Sequence, residues 1–391
     1  MTKAVAPRRI LEGIRVVDMT QFVAGPYCAR MLADLGANVV RIDQPSPQSS
    51  LQPSSGAAQQ PPRRAEGPAS LNLGKRSICL DLKHPDGVII AKALAGRADV
   101  MLENYLPGVL QRLGIGYSDI SAANPRIVYA SISGFGQDTS HSHRRAFGAT
   151  AQAEAGWIWV QQQAQGGPAP FAPGITVADM SAGMNAFSAV LAALYDRERT
   201  GRGQWIDISL MDSQLAMLTE VASEPLRGQP AEAWQPFRHG LQRTKDNGHL
   251  AVNIGGPHNW RRIAAAFDRA GTAQPADPVE AKRLVETWIG EHGTSEAASR
   301  LDRAGAPYGV MKTMHEAVEH PYFAERGMLV EVPDPIEGTA RHVNSPLYFS
   351  DTVSEPRGGP PLAGQHTREV LAELGYDESA IAALLERSIA Q

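Results

Sequence analysis

Apolar residues recur along this chain in two alternating rhythms. Short β-branched runs at residues 14–18, 39–42, 77–82, 99–103 and 127–133 read as strands. Between them, residues 26–35, 85–96 and 109–113 carry apolar positions at helical spacing. The first of these helices stops at Gly36, a C-cap signal. Strand, helix and strand within about 30 residues make a βαβ unit, so the pattern predicts a parallel sheet with helices packed over it.

Two polar stretches break the rhythm. Residues 44–68 are rich in Pro, Ser, Gln and Ala, and residues 161–174 carry a Gln run followed by Gly and Pro. Both predict loops, and loops of such length inside a domain are functional or mobile. A long helix is expected from about 179 to 197, broken sharply by Thr200-Gly-Arg-Gly203. A strand at 205–209 and a connecting helix at 210–222 follow. Residues 224–237 turn polar, with Pro225, Pro230 and Pro236, and read as a linker. Beyond it, a strand at 249–254, helices at 260–270 and 281–290, and the segment 295–310 predict a smaller α+β domain. Extended structure at 338–346 and amphipathic helices at 367–374 and 377–388 close the chain, and no internal repeat is visible.

The length of 391 residues fits two domains. Thirty-seven Lys and Arg against 41 Asp and Glu give a net charge of −4, which excludes a broad basic surface and makes nucleic acid a poor candidate partner. A local basic pocket remains open. Only Cys28 and Cys79 occur, which excludes a disulfide scaffold and a Cys-ligated metal site and fits a reducing cytosol. Residues 1–13 have basic residues but no apolar run, so no signal peptide is read there. The longest apolar stretch, 186–195, is shorter than the ~20 residues that cross a bilayer. The expectation is a soluble, cytoplasmic protein without a membrane partner.

Several familiar chemistries are missing. Phe22-Val-Ala-Gly-Pro26 stands where a GxGxxG dinucleotide fingerprint would follow the first strand. Neither a P-loop nor a G-x-S-x-G nucleophile elbow appears. His141-Ser-His143 lies among Ser, Thr and Arg and reads as a polar turn rather than half of a metal site. Asp179 carries two readings. It is a good helix N-cap residue. It is also a carboxylate at a helix start beside small residues Ser181, Ala182 and Gly183, held ionised by backbone N–H groups and able to act as a nucleophile. Basic residues gather at Arg63-Arg64, Lys75-Arg76, Lys83, Arg112 and Arg144-Arg145. They read as solvated surface or as phosphate capture at the C-terminal edge of the sheet.

Taken together, several segments resemble the class III CoA-transferases, the family that also holds formyl-CoA transferase, the carnitine CoA-transferases and α-methylacyl-CoA racemase. They are Leu11-Glu-Gly-Ile-Arg-Val-Val-Asp18, Ala24-Gly-Pro26, Leu32-Ala-Asp-Leu-Gly-Ala-Asn38, Lys75-Arg-Ser-Ile-Cys-Leu-Asp-Leu-Lys83 and Ala98-Asp-Val-Met-Leu-Glu-Asn104. Pro107-Gly108, Asn124-Pro-Arg126, Ser131-Ile-Ser-Gly-Phe-Gly136, Ala178-Asp179, Arg197-Glu-Arg-Thr-Gly-Arg-Gly-Gln204 and Gly364-Gln-His-Thr367 with Leu374-Gly375 continue the series in the expected order.

The resemblance implies an α/β fold with a Rossmann-like large domain at 8–223 and 329–391, a linker at 224–237, an inserted small domain at 238–328, and an interlocked homodimer. It implies that Asp179 attacks an acyl-CoA donor to give an aspartyl-acyl anhydride, then an aspartyl-CoA thioester from which CoA passes to an acceptor acid. CoA is then a substrate, with no permanently bound cofactor and no metal. The positions that would contact CoA are Val23, Ala24, Gln44, Leu80, Asp81, Leu82, Lys83, Asn104, Tyr105, Leu106, Arg112, Arg144, Arg145, Ala146 and Phe147. The loop 161–174 is a candidate lid over Asp179, and Trp157 and Trp159 are candidate acceptor-site residues that read equally as a packed turn.

The sequence also departs from parts of the family. Gln44 replaces an Arg of formyl-CoA transferase, for which Arg41 or Arg63 could compensate, and Val23 replaces a Gln. His239-Gly-Leu-Gln-Arg243 lacks that enzyme's glycine run, which argues against a formyl/oxalate activity. Phe147 stands where the racemase branch has a proton-moving His, so CoA transfer to a small or dicarboxylic acid is favoured over racemisation.

Overall fold

The structure is a computed structural model and describes residues 8–45, 63–165, 169–170, 172–230 and 239–391. Six strands form one parallel sheet: β1 (Arg15–Met19), β2 (Asn38–Asp43), β3 (Arg76–Cys79), β4 (Val100–Glu103), β5 (Val128–Ser133) and β6 (Trp205–Ser209). Their spatial order is β3-β2-β1-β4-β5-β6. The order reverses between β1 and β4, and in open α/β sheets ligands settle at the carboxyl ends of the strands beside such a reversal.

The central strands are apolar on both faces because both faces are covered. Val16, Val39, Val100, Leu102, Val128 and Ala130 share one core with α1 (Ala24–Asp34). Their neighbours Val17, Val40, Met101 and Tyr129 share the opposite core with α2 (Pro85–Arg97). α3 (Val109–Arg112) and α4 (Tyr117–Ala123) follow β4, and α5 (Gly148–Glu154) and α6 (Trp157–Gln165) follow β5. α7 (Val177–Thr200) enters the first core through Ala178, Ala182, Ala186 and Val190. Gly183 on α7 has no room for a side chain, because a Cβ there would lie 2.5 Å from the Ala24 carbonyl oxygen. The two helices therefore meet backbone to backbone.

α7 is also the one described helix long and apolar enough to cross a membrane, with a mean hydropathy of 1.4. Its buried alanine stripe against α1 is that of a core helix, which passes the same length and composition test.

α8 (Leu210–Met217) and α9 (Thr219–Leu226) take the place of one expected connecting helix. α9 carries Pro225, so part of the expected linker is helical, while residues 231–238 lie outside the described residues. The expected loop 161–174 begins as helix α6. Glutamine is a good helix former, so the Gln run continues the turn begun at Trp157. Much of the loop expected at 44–68 also falls outside the described residues.

The chain divides into two compact units. One comprises Met1–Ile158, Ala172–Thr219 and Glu325–Gln391; the other comprises Trp159–Phe171 and Glu220–Ala324. The second unit holds an antiparallel sheet of β7 (His239–Arg243), β8 (His249–Asn253) and β9 (Tyr308–Val310). The segment that lacks a glycine run is thus strand β7. α10 (Pro257–Ala266), α11 (Pro278–Glu291) and α12 (Thr294–Arg303) bury Trp260, Ile263, Val285, Ile289 and Leu301 against Leu250 and Val252. Short helices α13 (Met314–Val318) and α14 (Pro321–Glu325) follow. In the first unit, β10 (Leu329–Asp334) and β11 (Gly338–Val343) form a hairpin, and α15 (Thr367–Leu374) and α16 (Glu378–Glu386) complete the second core through Val370, Leu371, Ile381 and Leu384.

A buried polar network ties the ends of β1 and β2 to the start of β3. Lys75 Nζ donates to Asp18 Oδ2 at 2.9 Å, to the Pro26 carbonyl at 3.1 Å and to Asn72 Oδ1 at 3.1 Å, with both charged side chains wholly buried. Arg41, also buried, donates to Asn72 Oδ1 at 2.6 Å and pairs with Asp43 at 2.8 Å. Asp43 accepts from Ser77 Oγ at 2.6 Å, which in turn accepts from the Gly364 N–H at 2.9 Å. Burial pushes the Lys75 ammonium down to about 8, although the Asp18 charge opposes it. Burial works to raise Asp18, but the charges of Lys75 and Arg41 and the Thr20 hydrogen bond outweigh it and hold the carboxyl below its usual range. Both partners are charged at neutral pH.

Lys75→Met leaves the Asp18 carboxylate buried without its ion-pair partner. It is expected to cost about 3–5 kcal/mol in urea unfolding. Arg126→Ala, which breaks an exposed pair with Glu198, is expected to stay within about 0.5 kcal/mol.

Candidate active site

Asp179 is the third residue of α7, not its N-cap; that position belongs to Thr176, whose side chain makes no capping bond. From there the carboxyl group meets the start of α5. It accepts hydrogen bonds from the Gly148 N–H and from its own backbone N–H. A Cβ on Gly148 would fall 2.1 Å from Asp179 Oδ2 and 3.0 Å from Thr176 Cβ. Glycine is therefore what lets the α5 backbone reach the carboxylate. Burial raises the Asp179 carboxyl to about 6, although the two N–H groups act to lower it. The carboxylate is thus incompletely solvated yet mostly ionised at pH 7, a state suited to nucleophilic attack.

The same geometry gathers residues from distant parts of the sequence. Asp179 lies one helical turn before Gly183, so it shares the face of α7 that meets Ala24. Val23 is the N-cap of α1 and Ala24 its first residue, buried there. Phe22, in a left-handed backbone at φ 64°, sets its ring edge-to-face against Phe147 with centroids 5.5 Å apart. Both rings are more than half exposed, and Phe147 directly precedes Gly148. Ala146 packs beside Gly134, where a Cβ would come within 2.4 Å of it.

At the sheet reversal, Asn104 clamps the chain after β1. Its Oδ1 accepts from the Gln21 N–H at 2.8 Å, and its Nδ2 donates to the Gln21 carbonyl at 2.7 Å. The Tyr105 hydroxyl hydrogen-bonds the side chains of Gln44 and Gln21, which joins the ends of β2 and β4. Leu106 is half-buried next to it. Glu103, buried at the end of β4, is pushed up to about 7 by burial, against hydrogen bonds from Ser131 and the Tyr105 N–H. Gly148, Phe22, Gln21 and Glu103 are not among the residues that the sequence pattern singles out. A backbone N–H, a left-handed φ and a buried strand-end carboxyl carry no motif.

The basic residues divide. Lys75 and Arg41 belong to the buried network, so neither faces a ligand, and Arg41 cannot stand in for an Arg at position 44. Arg76 pairs with Glu369 and Glu373, and Arg64 with Asp334 and Glu337. Arg144 is held by Glu154 and stacks over Phe135 at 4.3 Å. Lys83, Arg112 and Arg145 are exposed, and among the described residues none has an ion-pair partner. They follow β3, β4 and β5 respectively, on connections leaving the carboxyl edge of the sheet. Leu80 and Leu82 are buried in the apolar layer, so only their backbone can face a ligand. Asp81 turns its carboxylate onto the Lys83 N–H at 2.9 Å. Two surface hollows, one by Asp268, Glu296 and Arg300 and one by Lys92, Ser118 and Asp119, contain none of the predicted residues.

The parallel α/β sheet thus carries a desolvated carboxylate beside a glycine N–H, with exposed cations on the connections at its carboxyl edge. The chain belongs to CoA-transferase family III, which it matches over residues 11–367. It is 32% identical to the mouse succinyl-CoA:glutarate CoA-transferase, over 96% of this chain and 89% of that protein. It is also 32% identical to the formyl-CoA:oxalate CoA-transferase of Streptomyces avermitilis, with all of both chains covered. The crystal structure of a CAIB/BAIF family protein from Brucella suis is similar at a TM-score of 0.76 and 25% identity, over 94% of this chain and 99% of that one.

Gly148→Ala drives a methyl group into the Asp179 carboxylate. A displacement of about 1 Å at a reacting atom costs on the order of 10²-fold in rate. A loss of kcat of that size, with the folded state retained by circular dichroism, is the expected result.

Proposed function

We propose that this enzyme transfers CoA from an acyl-CoA donor, succinyl-CoA first among candidates, to a small or dicarboxylic acid through covalent intermediates on Asp179. The observation that carries this reading is the Asp179 carboxylate itself, partly stripped of water at the start of α7 and aligned by the Gly148 N–H. Desolvation raises its nucleophilicity while leaving it ionised at pH 7. Attack on the donor thioester carbonyl gives an aspartyl-acyl anhydride and CoA thiolate. The thiolate then takes the aspartyl carbonyl and releases the donor acid. The acceptor carboxylate attacks the aspartyl thioester, and the returning thiolate carries CoA onto the acceptor.

The names of the relatives support the substrate class. Glutarate and oxalate, in the two enzymes compared with this chain, are dicarboxylates. Lys83, Arg112 and Arg145 are assigned to the CoA phosphates, and Val23, Ala24, Asn104, Tyr105, Leu106, Ala146 and Phe147 to the pantetheine and adenine path along the sheet edge. Gln44 reaches that path through Tyr105. Arg144 contributes by ordering its loop through Glu154 rather than by direct charge. Racemisation is disfavoured because Phe147 precedes the Gly148 contact and offers no proton. The enzyme is read as a soluble, cytoplasmic, interlocked homodimer. Support for an inserted second domain comes from Glu220–Ala324 clustering apart from chain segments on either side of it.

Incubation with succinyl-CoA and hydroxylamine, followed by peptide mass spectrometry, is expected to place a hydroxamate on Asp179. Asp179→Asn is expected to lose the adduct and all transfer while keeping its fold. Unmodified Asp179 across a panel of acyl-CoA donors would sink the covalent reading. Because the ionised carboxylate is the nucleophile, kcat/KM is expected to fall about tenfold per pH unit below about 6 and to level off above it.

A further inference from the structure

Among the described residues, Gln152 is the only fully buried side chain whose two polar atoms both lack a hydrogen-bond partner. Such groups are rare because their desolvation is uncompensated, so each asks for a reason. Gln152 lies on α5, on the buried stripe it shares with Gly148 and Ala151. Gly148 and Gln152 are one helical turn apart and face the same way. Gly148 is the residue whose missing Cβ makes room for Asp179 Oδ2. Helical side chains lean toward the helix N-terminus, which for Gln152 is the direction of the turn that carries Gly148. On α5, a buried and unengaged carboxamide therefore lies one turn from the backbone N–H that meets the Asp179 carboxyl group.

We propose that Gln152 is a further catalytic residue: its carboxamide N–H donates to the Asp179 carbonyl oxygen while that oxygen carries the charge of a tetrahedral intermediate. This rests on the covalent reading above. In the step concerned, the CoA thiolate sulfur adds to Asp179 Cγ of the anhydride. The S–Cγ bond forms and the carbonyl π pair moves onto the oxygen. The pair then returns as the Cγ–O bond to the acyl group breaks, which frees the donor acid as a carboxylate and leaves the aspartyl thioester. In the resting carboxylate, charge is shared by two oxygens that already accept two N–H groups. In the intermediate it is concentrated on one oxygen, and a second preorganised donor there stabilises the transition state selectively. An amide left unpaired in the resting state is the form such a donor takes before the charge appears.

The test is Gln152→Met, which keeps the volume and removes the donor. If Gln152 only packs, the variant should gain stability, by losing an unpaired buried group, with kcat unchanged. The proposal expects the same or higher unfolding midpoint, KM within about threefold, and kcat lower by about 10²–10³-fold, the loss typical of one oxyanion donor. A folded variant with kcat within threefold of wild type overturns it. Gln152→Leu is read by the same criteria if the Met variant does not fold, and failure of both to fold assigns Gln152 to packing and also overturns the proposal. Wild-type enzyme that forms no Asp179 hydroxamate overturns the covalent reading itself. A normal hydroxamate in both wild type and variant, with equal kcat, removes Gln152 alone.

Discussion

The wholly buried Lys75–Asp18 ion pair anchors the architecture of the site. Removing two charges from water is unfavourable unless each is paired and its remaining hydrogen-bonding capacity is filled. Here Asn72, Thr20 and the Pro26 carbonyl fill it. The third of these matters for chemistry. By holding Pro26, Lys75 fixes the first turn of α1, and α1 is the helix that Gly183 lets α7 touch through Ala24. A charge network under the sheet edge is thus connected through two short backbone contacts to the position of Asp179. Arg41 and Asp43 extend it to the C-terminal tail through Ser77 and Gly364, so residues nearly three hundred positions apart share one polar core.

Asp179 shows the opposite use of burial. Its carboxylate is left short of compensation, so its pKa rises to about 6 instead of falling as a well-capped helix-start carboxylate would. Two N–H groups keep it oriented but do not fully replace water. Structural carboxylates in the same unit, Asp18 and Asp334, are held below their usual range by cations. Phe22 and Phe147 fit the same picture. Their two half-exposed rings meet edge to face next to Gly148 and leave apolar surface in water, a feature that marks interaction sites more often than bare surface.

Part of the candidate site is legible in the residues alone. Asp179 stands out because a carboxylate opens a helix of small residues, and the parallel sheet stands out because β-branched runs alternate with helical stretches. Other parts are illegible for definite reasons. Lys75 and Arg41 look like surface basics, because a sequence shows charge but not the partner that lets charge be buried. Arg144 looks like a ligand contact, and its partner Glu154 lies ten residues on, across a loop and a short helix whose seven residues lack an apolar stripe. Gly148 acts through its N–H and its missing Cβ, and neither leaves a pattern in sequence.

Residue types and their spacing suffice for the α/β class and the strand and helix rhythm of the first half. These follow from local periodicity, which one dimension records. The three-dimensional packing alone decides which cations are free, which glycine faces Asp179, how far that carboxyl is desolvated and which buried amide lacks a partner. Those properties depend on distances between segments far apart in the chain, and on water excluded by all of them together.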